Sequence, residues 1–316
     1  MTVPARPLDS PAVALFDPRR TRGRGSADYA RSFRTAAALG WKMEANWTDP
    51  VLFFIYSVAK PVSAALILVA MLEVIAGSSS HEYRGFVVVG SALWSFVISG
   101  IAGLAWSVLD DRERYRMLKY VYVSPSDFVV VLLGRGTARI AVGAMGAAIT
   151  LAVGVLLLGV PFDPAVVNWT LLAVMMALGL TSIVAIGVVL AAICLQTRQE
   201  AWSYPEAVAG ALFLVSGAVF PLSVLPLTVQ AIGLANPLTW WLEGVRRALF
   251  PVGQSAIGGV GSLYTDLTGQ LVPDVATVVV ALLVTGAVVT LGAAVTFRWR
   301  ERRARDRGLI DQTTGS

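Results

Sequence analysis

The sequence predicts an all-α membrane protein. It should have six transmembrane helices, an N-terminal amphipathic helix at the interface, a short cytoplasmic helix after the second span, and short outer helices that re-enter between spans five and six. Three observations carry this expectation. Of 316 residues, 56% are hydrophobic and 14% charged, with a mean hydropathy of +0.70, whereas a soluble domain carries about 25% charged residues. Six apolar runs, 51–76, 86–108, 129–159, 168–195, 206–225 and 273–297, reach the roughly 20 residues that a helix needs to cross hydrocarbon. With both termini and the 109–135 loop on one side, all but Arg84, Arg246 and Arg247 of the 25 Lys and Arg fall on or near that side. The positive-inside rule makes it the cytoplasmic one. The net charge of +5 therefore reports topology and leaves no folded basic domain for nucleic acid.

Residues 1–27, rich in Pro, Arg and Gly, read as a disordered cytoplasmic tail. Over 28–48, Tyr29, Phe33, Ala36, Ala37 and Trp41 recur at helical spacing among Arg31, Arg34, Lys42 and Glu44. That pattern predicts an amphipathic helix lying in the inner interface, apolar side toward lipid. Asp49-Pro50 ends it, because the residue before proline avoids the helical region. The transmembrane domain then runs over 49–300, with Pro61 in its first span and Lys60 placed to snorkel. Residues 301–316 form a cytoplasmic tail; the arginines from Arg298 to Arg307 fix the orientation of the last span.

The second span carries Ser91, Ser95 and Ser99 at i, i+4 and i+8, with Trp94 and Trp106 nearby. Two readings stand: small-residue helix packing, or a mildly polar, aromatic-flanked path for an amphiphilic substrate. The small-residue stretch 136–154 fits close packing in lipid. In 210–250, prolines at 221, 226 and 237 forbid one straight span. A span should end near Phe220 and give way to short helices at the outer interface, with Trp240 and Trp241 as anchors at that depth.

The charged stretch VLDDRERYRMLKYVYVSP, Val108 to Pro125, offers chemistry. Asp110-Asp111 could hold magnesium, but the neighbouring Arg112 and Arg114 would neutralise the pair and no second aspartate cluster follows. Helix capping is the simpler reading. A helix from Asp110 to Val123 would set Tyr115, Leu118 and Tyr122 on one face and Arg112, Arg116 and Lys119 on another. Tyrosines beside arginines have the composition of a protein-docking surface. Ser124-Pro125 ends the helix and Asp127 caps the next.

Other activities find no support. The chain has no GxxxxGK[ST] phosphate loop, no HExxH and no GxSxG elbow. A single histidine, His81, in a short outer loop and a single cysteine, Cys194, exclude a His/Cys metal site and a disulfide framework within one chain. No signal peptide is recognisable. If the chain pumps anything, its ATPase is a separate polypeptide.

Two regions together resemble a known family. DRERYRMLKYVYVSPSD (111–127) is similar to the cytoplasmic segment after the second span of ABC-2 type (type V) ABC transporter permeases. SGAVFPLSVLPLTVQAIGLANPLTWWLEGVRRALF (216–250) resembles their fifth-span motif, with Phe-Pro, Leu-Pro, Asn-Pro-Leu-Thr and an arginine in order. The interfacial helix before Asp49-Pro50 matches too, so the likeness covers roughly 28–300. Family members often continue Glu-Arg-Glu with Gly-Thr, where this chain has Glu113-Arg114-Tyr115-Arg116.

The resemblance implies a multi-pass subunit of the cell (inner or plasma) membrane that exports an amphiphilic drug, lipid or glycolipid. It would pair with a second permease copy or close homologue and bind two ABC ATPase subunits. It implies no cofactor in this chain, with ATP and Mg2+ held on the ATPase. By resemblance, Arg112, Glu113, Arg114, Tyr115, Leu118, Lys119, Tyr122 and Pro125 belong to the coupling helix that docks on the ATPase, and 28–48 is the gate helix. Pro221, Pro226, Asn236, Pro237, Trp240 and Arg246 belong to the outer re-entrant helices, and Phe220 joins the serines as path candidates. The alternative is a membrane-embedded enzyme of lipid or polyprenyl metabolism, against which the missing metal carboxylates argue.

Overall fold

The computed structural model describes residues 26–45, 50–76, 80–124, 126–197, 201–250 and 255–306. The 1–27 tail, the end of the C-terminal tail and Pro125 therefore lie wholly or mainly outside the described residues. Helix α1 is Ser26–Ala45, α2 Pro50–Ala76 and α3 Ser80–Leu109. A π-helical turn, Asp110–Arg114, and the short α4, Leu118–Val123, lead into α5, Phe128–Leu157. Then come α6, Trp169–Gln196, and α7, Ser203–Val215. A 3-10 turn at Leu222–Val224 precedes α8, Leu227–Ala235, and α9, Pro237–Leu249. Helix α10 is Leu263–Thr268 and α11 is Val275–Asp306. The described residues contain no strand.

Helices α2, α3, α5, α6 and α11 are long and apolar enough to cross a membrane, and their bounds track the runs read from sequence. The fifth run differs. Its helix, α7, has 13 residues and stops at Val215, not near Phe220, so at 1.5 Å per residue it reaches about 20 Å. Ser216 closes it and Gly217 comes next with φ 67°, a left-handed conformation that glycine adopts without a Cβ penalty.

Helix α3 is the axle of the bundle, packed on α2, α5, α6 and α7. Its Val97, Ile101, Ala105 and Leu109 enter the main core with Met175 and Ile183 of α6 and Trp241 of α9. Polar ends are secured locally: the Asp127 side chain accepts from Val129 N and Val130 N, and Asn168 from Leu171 N. Helix α1, read from the sequence as a separate amphipathic element, packs tightly on α5. Ala36 and Gly40 face Gly134 and Ala138; a Cβ on Gly134 would sit 2.7 Å from the Ala36 Cβ. Small residues let the two backbones approach, while Tyr29, Phe33 and Trp41 of α1 remain exposed.

Candidate functional site

The connector between α3 and α5 gathers charges from three elements, α1, the π-helical turn and α5. Asp110 and Asp111 do not cap a helix: the turn begins after Leu109 with no side-chain cap, so that reading is corrected. Each aspartate instead meets an arginine one turn apart on α5. Asp111 pairs with Arg135, both buried. Asp110 accepts from Arg139 Nη2 at 2.6 Å, and the same nitrogen lies 2.8 Å from Glu44 of α1. One arginine thus ties α1, α5 and the turn together. Carboxylates next to arginines in a poorly solvated place gain more from pairing than from a helix N-terminus.

Arg112 points the other way. It is 5% exposed, and its Nη1 donates to the carbonyls of Cys194 (2.9 Å) and Thr197 (3.0 Å) at the end of α6. At a helix end such carbonyls lack the intrahelical donor of the next turn, and a cation there also suits the helix dipole. Its Nε is held by Glu113 at 2.7 Å. The turn therefore couples α3 to α1, α5 and α6 at one end of the bundle.

The expected single helix from Asp110 to Val123 does not form. After the π-helical turn the chain breaks at Tyr115–Met117, with Arg116 at φ 51°, and α4 starts at Leu118. The π turn and the break rotate α4 relative to α3, so Tyr115, Leu118 and Tyr122 do not share one exposed face. Leu118 is buried with Leu104, Val108, Phe128 and Leu132. Tyr122 stacks on Phe128 at 4.8 Å. Tyr115 is half-buried, with the guanidinium groups of Arg114 and Arg135 5.6 and 5.9 Å from its ring centre. The outward surface consists of Arg114, Arg116, Lys119, Tyr120 and Val123, with Tyr120 67% exposed.

At the opposite end, α9 is buried along most of its length. Trp240 and Trp241, expected at the interface, lie inside. Trp240 Nε1 donates to Leu234 O at 2.8 Å and its ring meets Tyr264 edge-on. Trp241 is fully buried and lies 6.0 Å from Phe96. The reason is steric: Gly179 on α6 leaves room for the indole. Asn236 caps α9 by accepting from Leu238 N, and Pro237 takes the first helical position. Pro221 precedes the 3-10 turn and Pro226 precedes α8 as its N-cap, as the proline pattern requires.

Arg246 anchors this layer. It is 4% exposed; Nη1 donates to Gly217 O (2.8 Å) and Nη2 to Ala218 O (2.5 Å) and Phe86 O (3.3 Å). Its guanidinium lies 3.7 Å from the centre of the Phe86 ring. A side chain on Gly90 of α3 would collide with it. Glu243, one turn earlier, is buried and accepts from Arg247 Nε, Ser255 Oγ and Ala256 N at 2.9, 2.8 and 2.7 Å. So every charge on α9 binds backbone or a neighbouring charge.

The second-span serines turn toward α5. Ser91 and Ser95 donate to carbonyls of their own helix, Val88 and Ala92. Ser99 faces Gly143, and the Ser95 hydroxyl lies near Gly146. Trp94 sits 4.9 Å from Phe213 of α7, and Phe220 is half-buried. Sequence reading missed Glu44, Arg135, Arg139 and Glu243. For Arg135 and Arg139 the acid–base balance across the 110–139 segment was the one local sign; Glu44 and Glu243 lie outside it.

The family model described as ABC-2 type transporter matches residues 35–250, from the middle of α1 to the end of α9. No curated protein matches the chain significantly.

Proposed function

Because the chain belongs to the ABC-2 type transporter family, we propose that it is the membrane-spanning permease subunit of an ATP-driven exporter of an amphiphilic drug, lipid or glycolipid. Two copies, or one copy and a close homologue, would frame the path. ATP and Mg2+ would act on separate ATPase subunits. The connector end would be cytoplasmic, with both termini, in accord with the Lys and Arg distribution.

The observation that carries this reading is the bracing of the connector. Arg112, Asp110 and Asp111 tie it to α6, α5 and α1, so a push on its outer surface moves several helices as one body. The element needs no chemistry of its own. Transmission requires only that docking free energy differ between two states of the partner. Arg114, Lys119 and Tyr120 would contact the ATPase, while Leu118 and Tyr122 would root the docking surface in the bundle.

The test is reconstitution of the chain with its ATPase in vesicles. Replacing Lys119 and Tyr120 by alanine should abolish substrate-stimulated ATP hydrolysis and export while insertion stays normal. Unchanged stimulation and export would refute the docking role. Export that continues without ATP would refute the exporter reading itself.

A further inference from the structure

At the end of the bundle away from the connector, an open groove of about 420 Å³ runs between α3, α5, the α5–α6 loop, the start of α6 and the end of α9. Its walls include Val88, Leu151, Ala152, Val155, Trp169 and Phe250, and none of its lining residues is charged. A water there would find none of the two to four polar partners it needs. The volume lies within the range of small-ligand sites, about 300–1,000 Å³.

Depth narrows the occupant. The walls come from the first turns of α3, the last turns of α5 and the first residue of α6, so the groove is confined to a single leaflet. Trp169, 58% exposed, marks the interface. At the rim, Arg84 Nη1 donates to Leu158 O at 3.1 Å and its Nη2 pairs with Glu73 at 2.8 Å. Gly85, next to Arg84, abuts Val160 and Phe250 of the groove. A hydrocarbon slot thus ends at one cation and one half-exposed anion.

We propose that this groove holds one acyl chain of a zwitterionic glycerophospholipid, with its headgroup at the Arg84–Glu73 pair. The phosphate would lie on the arginine side and the ammonium on the glutamate side. A net-anionic headgroup would bring its uncompensated charge beside Glu73. This site is independent of the transport role and lies apart from the connector. In the proposed orientation it faces the outer leaflet.

The experiment measures phospholipid retained by the purified full-length chain after detergent extraction, read by mass spectrometry. Ala152→Phe fills the groove from an exposed position on α5; Val284→Phe adds the same bulk to the exposed face of α11. Retention should fall about tenfold in the first, the ratio set by about 1.4 kcal/mol, and stay unchanged in the second. In vesicles of brominated phosphatidylethanolamine, the fluorescence component lost in Trp169→Phe should be the quenched one, and Ala152→Phe should relieve that quenching. Glu73→Gln should shift the retained lipid toward anionic headgroups.

Equal retention and quenching in Ala152→Phe would overturn the proposal. So would an unshifted headgroup profile in Glu73→Gln. Efficient disulfide dimerisation of Val155→Cys would also overturn it, by showing that a second copy covers the groove; the native Cys194 is buried. Export activity enters none of these readings, so failure here is distinct from failure of the exporter reading.

Discussion

Arg112 closes the end of α6 by placing its Nη1 2.9 Å from the carbonyl oxygen of Cys194. A residue in the turn after one span thereby supplies the missing hydrogen bonds of another span, 82 positions along the chain. The contact makes the α3–α4 connector and α6 a single mechanical unit.

Arg112→Ala should therefore loosen that unit. Leaving buried carbonyls without a donor costs about 1–3 kcal/mol, and the Arg112–Glu113 ion pair is lost as well. Arg112→Lys should recover little, because one ammonium cannot span Cys194 O and Thr197 O while also meeting Glu113. Thermal unfolding in detergent should show both variants destabilised, alanine more. With the ATPase present, both should hydrolyse ATP with weakened substrate stimulation. A lysine variant indistinguishable from wild type would remove Arg112 from the brace.

Asp111→Ala should be the most damaging single change at the connector. It strands the buried Arg135, and an uncompensated buried charge costs about 3–5 kcal/mol. The reversed pair, Asp111→Arg with Arg135→Asp, should recover part of that loss. Double-mutant cycles on thermal or denaturant unfolding would measure the coupling. A coupling near zero would mean that the two charges are solvated independently of one another.

These pairings show why the spans were legible and the connector was not. Hydrophobic run length is a local property, so α2, α3, α5, α6 and α11 could be read directly. Asp110 and Arg139 are 29 residues apart and Asp111 and Arg135 are 24 apart, beyond any helical spacing rule. Without knowledge of those partners, the aspartates resemble a cap. Trp240 and Trp241 failed for a related reason: tryptophan composition is the same at an interface and in a core, and Gly179, which admits the ring, lies on another helix. The early stop of α7 did have a signal, Ser216-Gly217, but the prolines at 221 and 226 overshadowed it.

Arg116 holds φ 51° in the break between the π-helical turn and α4. For a residue with a Cβ, this left-handed conformation costs roughly 1 kcal/mol. Arg116→Gly should stabilise the connector by about that amount, and Arg116→Val should destabilise it by more, since β-branching crowds the backbone further. Hydrogen exchange of the Tyr120 and Val121 amides, both bonded to Met117 O, would report the change locally. Equal protection in the two variants would show that the break is not held by this residue.

At the far end, Gly90→Ala and Arg246→Gln should give the same phenotype by different routes. The alanine Cβ would strike the guanidinium and the Ala218 carbonyl, forcing Arg246 off its three carbonyl partners. The glutamine is too short to reach Gly217 O, Ala218 O and Phe86 O at once. Either change leaves buried polar groups unmet, at about 1–3 kcal/mol each, and frees α9 from the loop after α7. Labelling offers a direct readout. Ala218 is fully buried, so Ala218→Cys should resist maleimide in the parent and react quickly in both variants. Cys194, also buried, keeps the background low. Slow labelling in Gly90→Ala alongside fast labelling in Arg246→Gln would show that the arginine holds the layer without needing the space above Gly90.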